Sequence, residues 1–225
     1  MKDFINILET CLLFHDIRKD DIQKLINCLS AVNRRYAKNN IIFSNEEKAE
    51  SIGIVLSGAV YIQRENFWGN RVIIARVEQG ELFGEAFAGA GVEKLPVNVT
   101  AAEESEIMII DCSRILVSCS SACRFHSELI KNLMRILADK NIMLTQKLEL
   151  VTQRTTREKL MSYLSEQARI NGSSSFDIPF NRQELADYLS VDRSAMSAEL
   201  SKMRRENIVR YKLNHFELIN SASKS

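Results

Sequence analysis

The chain has 225 residues, of which 45% are hydrophobic and 26% charged, and a formal net charge of +1. This composition is that of a soluble globular protein with room for two domains, and it implies no disorder. No apolar run approaches the roughly 18 residues of a membrane span, and the opening MKDFINILET lacks the basic-then-apolar order of a signal peptide, so a cytoplasmic location is expected.

A short helical lead is predicted over Phe4–Phe14 and Asp20–Cys28. Segments rich in β-forming residues follow: Asn40–Phe43, Ser51–Leu56, Ala59–Arg64, Arg71–Arg76, Val97–Ala101 and Ser105–Asp111. Ser57-Gly58 and Gly69-Asn70 supply turns, and Gly80 to Glu85 closes a strand and starts a tight loop. Many short strands with Gly or charged turns predict a small β-barrel or jelly roll. Five cysteines, Cys11, Cys28, Cys112, Cys119 and Cys123, form no C-x-x-C pair. The odd number argues against a disulfide framework. Cys112, Cys119 and Cys123 cluster where the sheet domain gives way to a helix, so a redox or metal role stands beside that of small buried side chains.

A long helix is expected from about Ser121 to Arg154. Along it Ile130, Met134, Leu137, Asn141, Leu144, Leu148 and Val151 alternate in steps of four and three, the seam of a two-stranded coiled coil. Parallel pairing would set Asn141 opposite its own copy, fixing register, so this seam is read as a homodimer interface. A flanking stripe of Leu129, Leu133, Ile136, Met143 and Leu150 is placed to pack on the barrel.

From Asn181 to Asn207 the spacing of Leu185, Leu189, Val191, Met196, Leu200 and Met203 predicts two short helices burying their inner faces, a helix-turn-helix of the kind that enters a DNA major groove. Small Ala186 allows close approach, Ser190 stands at the turn, and Asp192 is a candidate N-cap. Arg193, Ser194 and Ser197 fall on the outer face of the second helix. Ile208–Lys212 and Phe216–Ile219, around an Asn214-His215 turn, read as a wing. Charge divides accordingly: residues 1–151 hold 18 Lys+Arg against 20 Asp+Glu, net −2, and residues 152–225 hold 12 against 9, net +3. Arg182, Arg193, Lys202, Arg204 and Arg205, with Arg210 and Lys212 of the wing, are the candidates for neutralising phosphates.

Barrel, long helix and winged helix in this order resemble the CRP/FNR family of bacterial transcription regulators. The pieces that carry the resemblance are SIGIVLSGAVYIQ with GELFGEAFAG, and FNRQELADYLSVDRSAMSAELSKM. It implies an α+β protein with a cyclic-nucleotide-binding-like effector domain (1–120), a dimerisation helix and hinge (121–154, hinge Gln153 to Arg157) and a winged DNA-binding domain (155–225). It further implies a homodimer on an inverted-repeat operator in double-stranded DNA, an unknown small-molecule effector, RNA polymerase as a further partner, and no enzymatic activity. By the same resemblance Arg193 reads a guanine edge and Ser194 and Ser197 add contacts. The chain departs from the family at Ala198, where Arg is common, and at Ser194, where Glu is frequent.

In the effector pocket that the resemblance implies stand Gly84, Glu85, Ala86, Lys94 and Leu95. Where cyclic-nucleotide members carry an Arg ten residues after the Glu, this chain has Leu95 followed by Pro96, so cyclic AMP or GMP is not expected. The cysteine cluster of iron–sulfur members is absent, whereas haem remains a reading, with His15 and His126 as candidate axial ligands. A cupin-like metal enzyme is disfavoured, because His15, His126 and His215 all fall outside the predicted strands of the barrel.

Overall fold

The computed structural model describes residues 4–65, 68, 71–116 and 124–219. The expected Gly69-Asn70 turn, Cys119, Cys123 and the first residues of the long helix lie outside them. The chain forms two compact units, Met1–Ile142 and Met143–Ser225, with the boundary inside the long helix.

The first unit opens with helix α1 (Ile5–Thr10), a 3₁₀ turn (Leu12–Phe14) and α2 (Lys19–Cys28), as the sequence led one to expect. Eight strands follow: β1 (Val32–Tyr36), β2 (Ile41–Phe43), β3 (Ser51–Ser57), β4 (Val60–Glu65), β5 (Arg71–Val77), β6 (Leu82–Phe83), β7 (Asn98–Ala101) and β8 (Ser105–Asp111). Helix α3 (Glu85–Gly89) intervenes before β7, and α4 (Ser113–Leu116) follows β8. The strands make two antiparallel four-stranded sheets, ordered β1-β8-β3-β6 and β2-β7-β4-β5. β1 was not anticipated, and the Gly80–Glu85 loop proves to hold β6 and the start of α3.

β3 explains the layering. Its side chains alternate, so Ile52, Ile54 and Leu56 face one way while Gly53 and Val55 face the other, and all five are buried. The Val55 face joins Phe43, Val60, Phe83, Leu95, Val99 and Ile107 in the core between the sheets. The Ile54 face, with Met108 and Ile110 of β8, is covered by Leu8, Phe14, Ile22 and Leu25 from the leading helices and by Leu129, Leu133 and Ile136 from the long helix. A strand buried on both faces needs an apolar run rather than a polar/apolar alternation, which is what SIGIVLS supplies. Gly53 is required by close approach: a Cβ there would lie 2.0 Å from Phe83 Cζ.

The long helix, α5 (Arg124–Val151), ends three residues before the predicted Arg154. Asn132 is buried in it and donates to the carbonyls of Leu13 (3.1 Å) and His15 (2.8 Å), tying the helix to the leading turn. Of the flanking stripe expected on the barrel, Leu129, Leu133 and Ile136 join the core of the first unit; Leu150 is buried but lies in the second unit, and Met143 is 61% exposed.

The second unit adds α6 (Thr156–Asn171), β9 (Ser175–Asp177), α7 (Arg182–Leu189), α8 (Arg193–Arg205), β10 (Val209–Lys212) and β11 (His215–Leu218). α6 starts from a reciprocal Thr155/Glu158 capping box and ends at Gly172 in the left-handed region. The wing is three-stranded, β10-β11-β9, since Phe176 pairs with Phe216. Its hairpin turns at Leu213-Asn214 rather than Asn214-His215: Lys212 pairs directly with His215, leaving two residues for the turn. Among the described residues no helix is long and apolar enough to cross a membrane.

Candidate nucleic-acid interface and effector region

Local sequence fixes both helices of the helix-turn-helix. Asn181 accepts from the amides of Gln183 (2.9 Å) and Glu184 (3.0 Å), and Glu184 returns a carboxylate to the Asn181 amide (2.8 Å). α7 stops at Ser190, whose φ of 52° is the left-handed conformation usually given to Gly. Asp192 then caps α8, accepting the Ala195 amide at 2.8 Å and the Ser194 hydroxyl. Those bonds, Ser194 first and the Ala195 amide next, hold the Asp192 carboxyl below the ordinary range. Leu185, Ala186, Leu189, Met196, Leu200 and Met203 are buried as predicted, and Val191 is half-buried.

On the outer face Arg193 is exposed and makes no side-chain ion pair or hydrogen bond among the described residues. Ser197 donates to the Arg193 carbonyl at 2.8 Å and Ser194 donates to Asp192, so both hydroxyls present lone pairs outward. Lys202, Arg204 and Arg205 occupy the last turn of α8, where cations complement the helix dipole, and all are exposed. The acids that could cancel them are held elsewhere: Arg157 of α6 binds Glu199 at 3.3 Å and Glu206 at 2.5 Å. That pair of bonds keeps the Glu206 carboxyl low and Arg157 high. Sequence reasoning placed Arg157 only at the end of a hinge; nothing local marks it as the partner of acids 42 and 49 residues away.

Arg182 has a different setting from the other predicted phosphate contacts. Its guanidinium lies 4.8 Å from the ring centroids of both Tyr211 and Phe216, and burial there draws it below the usual arginine range. Arg204 also stacks on Tyr211, at 5.4 Å. On the wing Arg210 pairs with Glu217 at 3.5 Å.

The sequence-predicted effector residues diverge in the first unit. Gly84, with φ 84°, caps α3; a Cβ there would lie 3.0 Å from the Ser51 carbonyl and 3.1 Å from the Phe43 ring. Glu85 is 3% exposed, and its Oε1 lies 2.9 Å from Lys140 Nζ of α5, which also donates to the Leu82 carbonyl. Glu85 Oε2 is buried without a partner among the described residues. Ala86 and Lys94 are exposed, and Leu95 belongs to the inter-sheet core. The cation that meets Glu85 therefore comes from the long helix, not from its own loop.

His126 is buried with Nε2 3.2 Å from the Arg114 carbonyl, and exposed His15 has Nδ1 3.1 Å from Asp16. Burial pushes the Cys11 thiol up to about 11, and burial with the nearby Asp111 and Glu85 raises Cys112, so both are protonated thiols at neutral pH. Among the described residues no three His, Cys, Asp or Glu side chains gather as a metal site.

Along α5 the predicted seam is exposed at Met134 (63%), Leu144 (52%) and Leu148 (61%), with Asn141 exposed and Ile130, Leu137 and Val151 half-buried.

Two family comparisons match: the cyclic nucleotide-binding domain over residues 33–119 and the Crp-like helix-turn-helix domain over residues 158–222. The nitrogen fixation regulation protein FixK of Azorhizobium caulinodans is 23% identical over 184 residues, 77% of this chain and 69% of that protein. The transcriptional activator protein FnrL of Cereibacter sphaeroides is 22% identical over 191 residues, 78% and 71% of the two chains. Among solved structures, the c-di-GMP responsive global regulator CLP of Xanthomonas campestris superimposes with a TM-score of 0.75 at 16% identity, covering 91% of this chain and all of that one (100%).

Proposed function

This chain belongs to the CRP/FNR family of transcription regulators, DNA-binding proteins rather than enzymes, and from that premise we propose that it reads an inverted-repeat operator as a homodimer, under control of a signal received by its β-sandwich. The observation that carries the reading is the outer face of α8: an unpaired Arg193 at its start, cations at its end, and its acids neutralised from behind by Arg157. An unpaired guanidinium fork at the first turn of the second helix suits guanine O6 and N7, the commonest specific contact in the major groove. Ser194 and Ser197, with lone pairs outward, suit base amino groups; Lys202, Arg204 and Arg205 suit phosphates. Arg182 serves best by setting the wing against α7 through Tyr211 and Phe216, with DNA contact a secondary part.

The exposed apolar seam of α5 supports the dimer: Met134, Leu144 and Leu148 would lose their water-exposed surface against the same residues of a second copy, with Asn141 setting register. A dimer of this kind places its recognition helices on half-sites about one helical turn apart. The location is cytoplasmic, with the DNA, and RNA polymerase is the expected further partner. The residues of the sandwich do not fit a cyclic nucleotide. Leu95 replaces the phosphate-binding cation, and Glu85 is already satisfied in charge by Lys140. Signal and output communicate by population shift: a ligand changes the balance of two arrangements only if it binds one better than the other.

Selection of binding sites from a random duplex library by the purified full-length chain tests the reading. An inverted repeat with half-sites one helical turn apart is expected. Enrichment of a single unrepeated motif would overturn the dimeric reader.

A further inference from the structure

Beside the inter-sheet core lies a cavity of about 190 Å³ whose lining includes Arg34, Phe43, Glu47, Lys48, Leu95 and Ile109. Its size restricts the occupant. A dry apolar cavity of about 150 Å³ takes one benzene, and sites for drug-sized ligands start at about 300 Å³. The cavity opens to solvent on one side, and its volume suits a ring or short chain bearing one polar group.

The lining specifies that polar group. Arg34 sits on β1 directly opposite Ile107, whose side chain lies in the inter-sheet core, so strand alternation turns Arg34 to that same face. Its guanidinium makes no ion pair or hydrogen bond among the described residues. Lys48 adds a second cation, paired with exposed Glu50 at 3.5 Å. The one carboxylate of the lining, Glu47, accepts the Ser44 amide at 3.3 Å. Glu50 offsets Lys48 and Glu47 keeps its charge, so the free group of the lining is the Arg34 guanidinium, and a planar, unpaired guanidinium matches a carboxylate by its two parallel N–H donors. Ile42, Phe43, Leu95 and Ile109 supply an apolar floor.

We propose that this cavity binds a small monocarboxylate with a compact apolar body and is where the β-sandwich receives its signal. The second half of that statement rests on the regulator reading above. The path onward is a series of contacts within the first unit. Phe43 borders the cavity and packs on Phe83 at 5.2 Å between centroids. The same ring lies against Gly84, which caps α3, and the first residue of α3 is Glu85, held by Lys140 of α5. An occupant that shifts the Phe43 ring bears on the cap of α3 and so on the ion pair that fastens α5.

Isothermal titration of the full-length chain with benzoate, phenylacetate and butyrate, and with benzamide as the neutral match, tests the site. At least one carboxylate is expected to saturate at one per chain, with benzamide failing to bind. Arg34→Gln, at an exposed position, is expected to weaken that binding about tenfold to a hundredfold, the worth of a lost hydrogen bond to a charged group. Lys48→Gln, also exposed, is expected to weaken it by less. The site is overturned if none of the three carboxylates saturates, if benzamide binds equally, or if both variants bind like the wild type. Operator affinity, measured with and without the carboxylate, separates the two levels. Carboxylate binding that leaves operator affinity unchanged overturns the signal-receiving role and keeps the site. Operator binding with no carboxylate binding overturns the site and keeps the DNA reader.

Discussion

The two units handle charge in opposite ways. In the second, Arg157 gathers Glu199 and Glu206 beneath α8, so that Arg193, Lys202, Arg204 and Arg205 are left facing outward. In the first, a carboxylate and an ammonium are used up on each other: Glu85 at the start of α3 and Lys140 on α5. Displayed charge serves an external polyanion, whose phosphates release counterions when neutralised. Buried paired charge serves geometry, because separating the partners leaves one of them desolvated and alone. The sandwich thus holds α5 by an internal ion pair, while the second unit leaves the cations of α8 facing outward.

The largest effect that could break this comparison is loss of the α5 seam. Leu148→Lys, at a residue 61% exposed in the single chain, is expected to yield a monomer in sedimentation velocity and to weaken operator binding by about 10² to 10⁴, the usual gain from linking two reading heads. A variant that stays dimeric would place the interface elsewhere.

Next comes the ion pair. Lys140→Met leaves Glu85 buried and uncompensated, which costs about 3 kcal/mol, visible by calorimetry as a lowered transition of the first unit. Adding Glu85→Gln should recover much of that loss. An unchanged transition in Lys140→Met would show that the pair does not fasten the helix.

On the DNA-binding side the effects are smaller. Asp192→Ala removes the cap of α8 and is expected to cost about 1 kcal/mol, again by calorimetry, with operator affinity falling because Ser194 loses its anchor. A pH effect is expected at Lys147, whose amine lies over the Tyr188 ring and donates to the Tyr188 carbonyl. Burial draws its pKa down to about 6, against 10.5 in the unfolded chain. Between those values the unfolded chain holds a proton that the folded one has lost, so stability of the second unit rises as pH climbs above about 6. Lys147→Met should flatten that rise; an identical slope in the variant would mean that another group titrates.

The same contrast explains what could be read in advance. The helix-turn-helix was legible because its determinants are local: Asn181 and Asp192 as caps, Ser190 at the turn, Leu185 to Met203 in spacing. The jelly roll was legible from its apolar strands, but VNRRY, a polar edge strand, was not, since β1 exists through its pairing with β8, as far on in the chain as Ile109 is from Val32. Met143 follows the stripe in spacing yet lies beyond the surface that covers Leu129, Leu133 and Ile136. The effector region was least legible. Lys140 and Arg157 meet their acids only in three dimensions, and Arg34 reaches its cavity only through the register of a strand that sequence did not reveal.

The central claim is that Arg193 reads a base. The direct measurement is the affinity of wild type and Arg193→Ala for the selected operator and for versions changed at each base pair of the half-site. Wild type is expected to discriminate one G·C pair by about 1–3 kcal/mol, and the variant to lose discrimination at that pair alone. A variant that still prefers the same base there would contradict the claim.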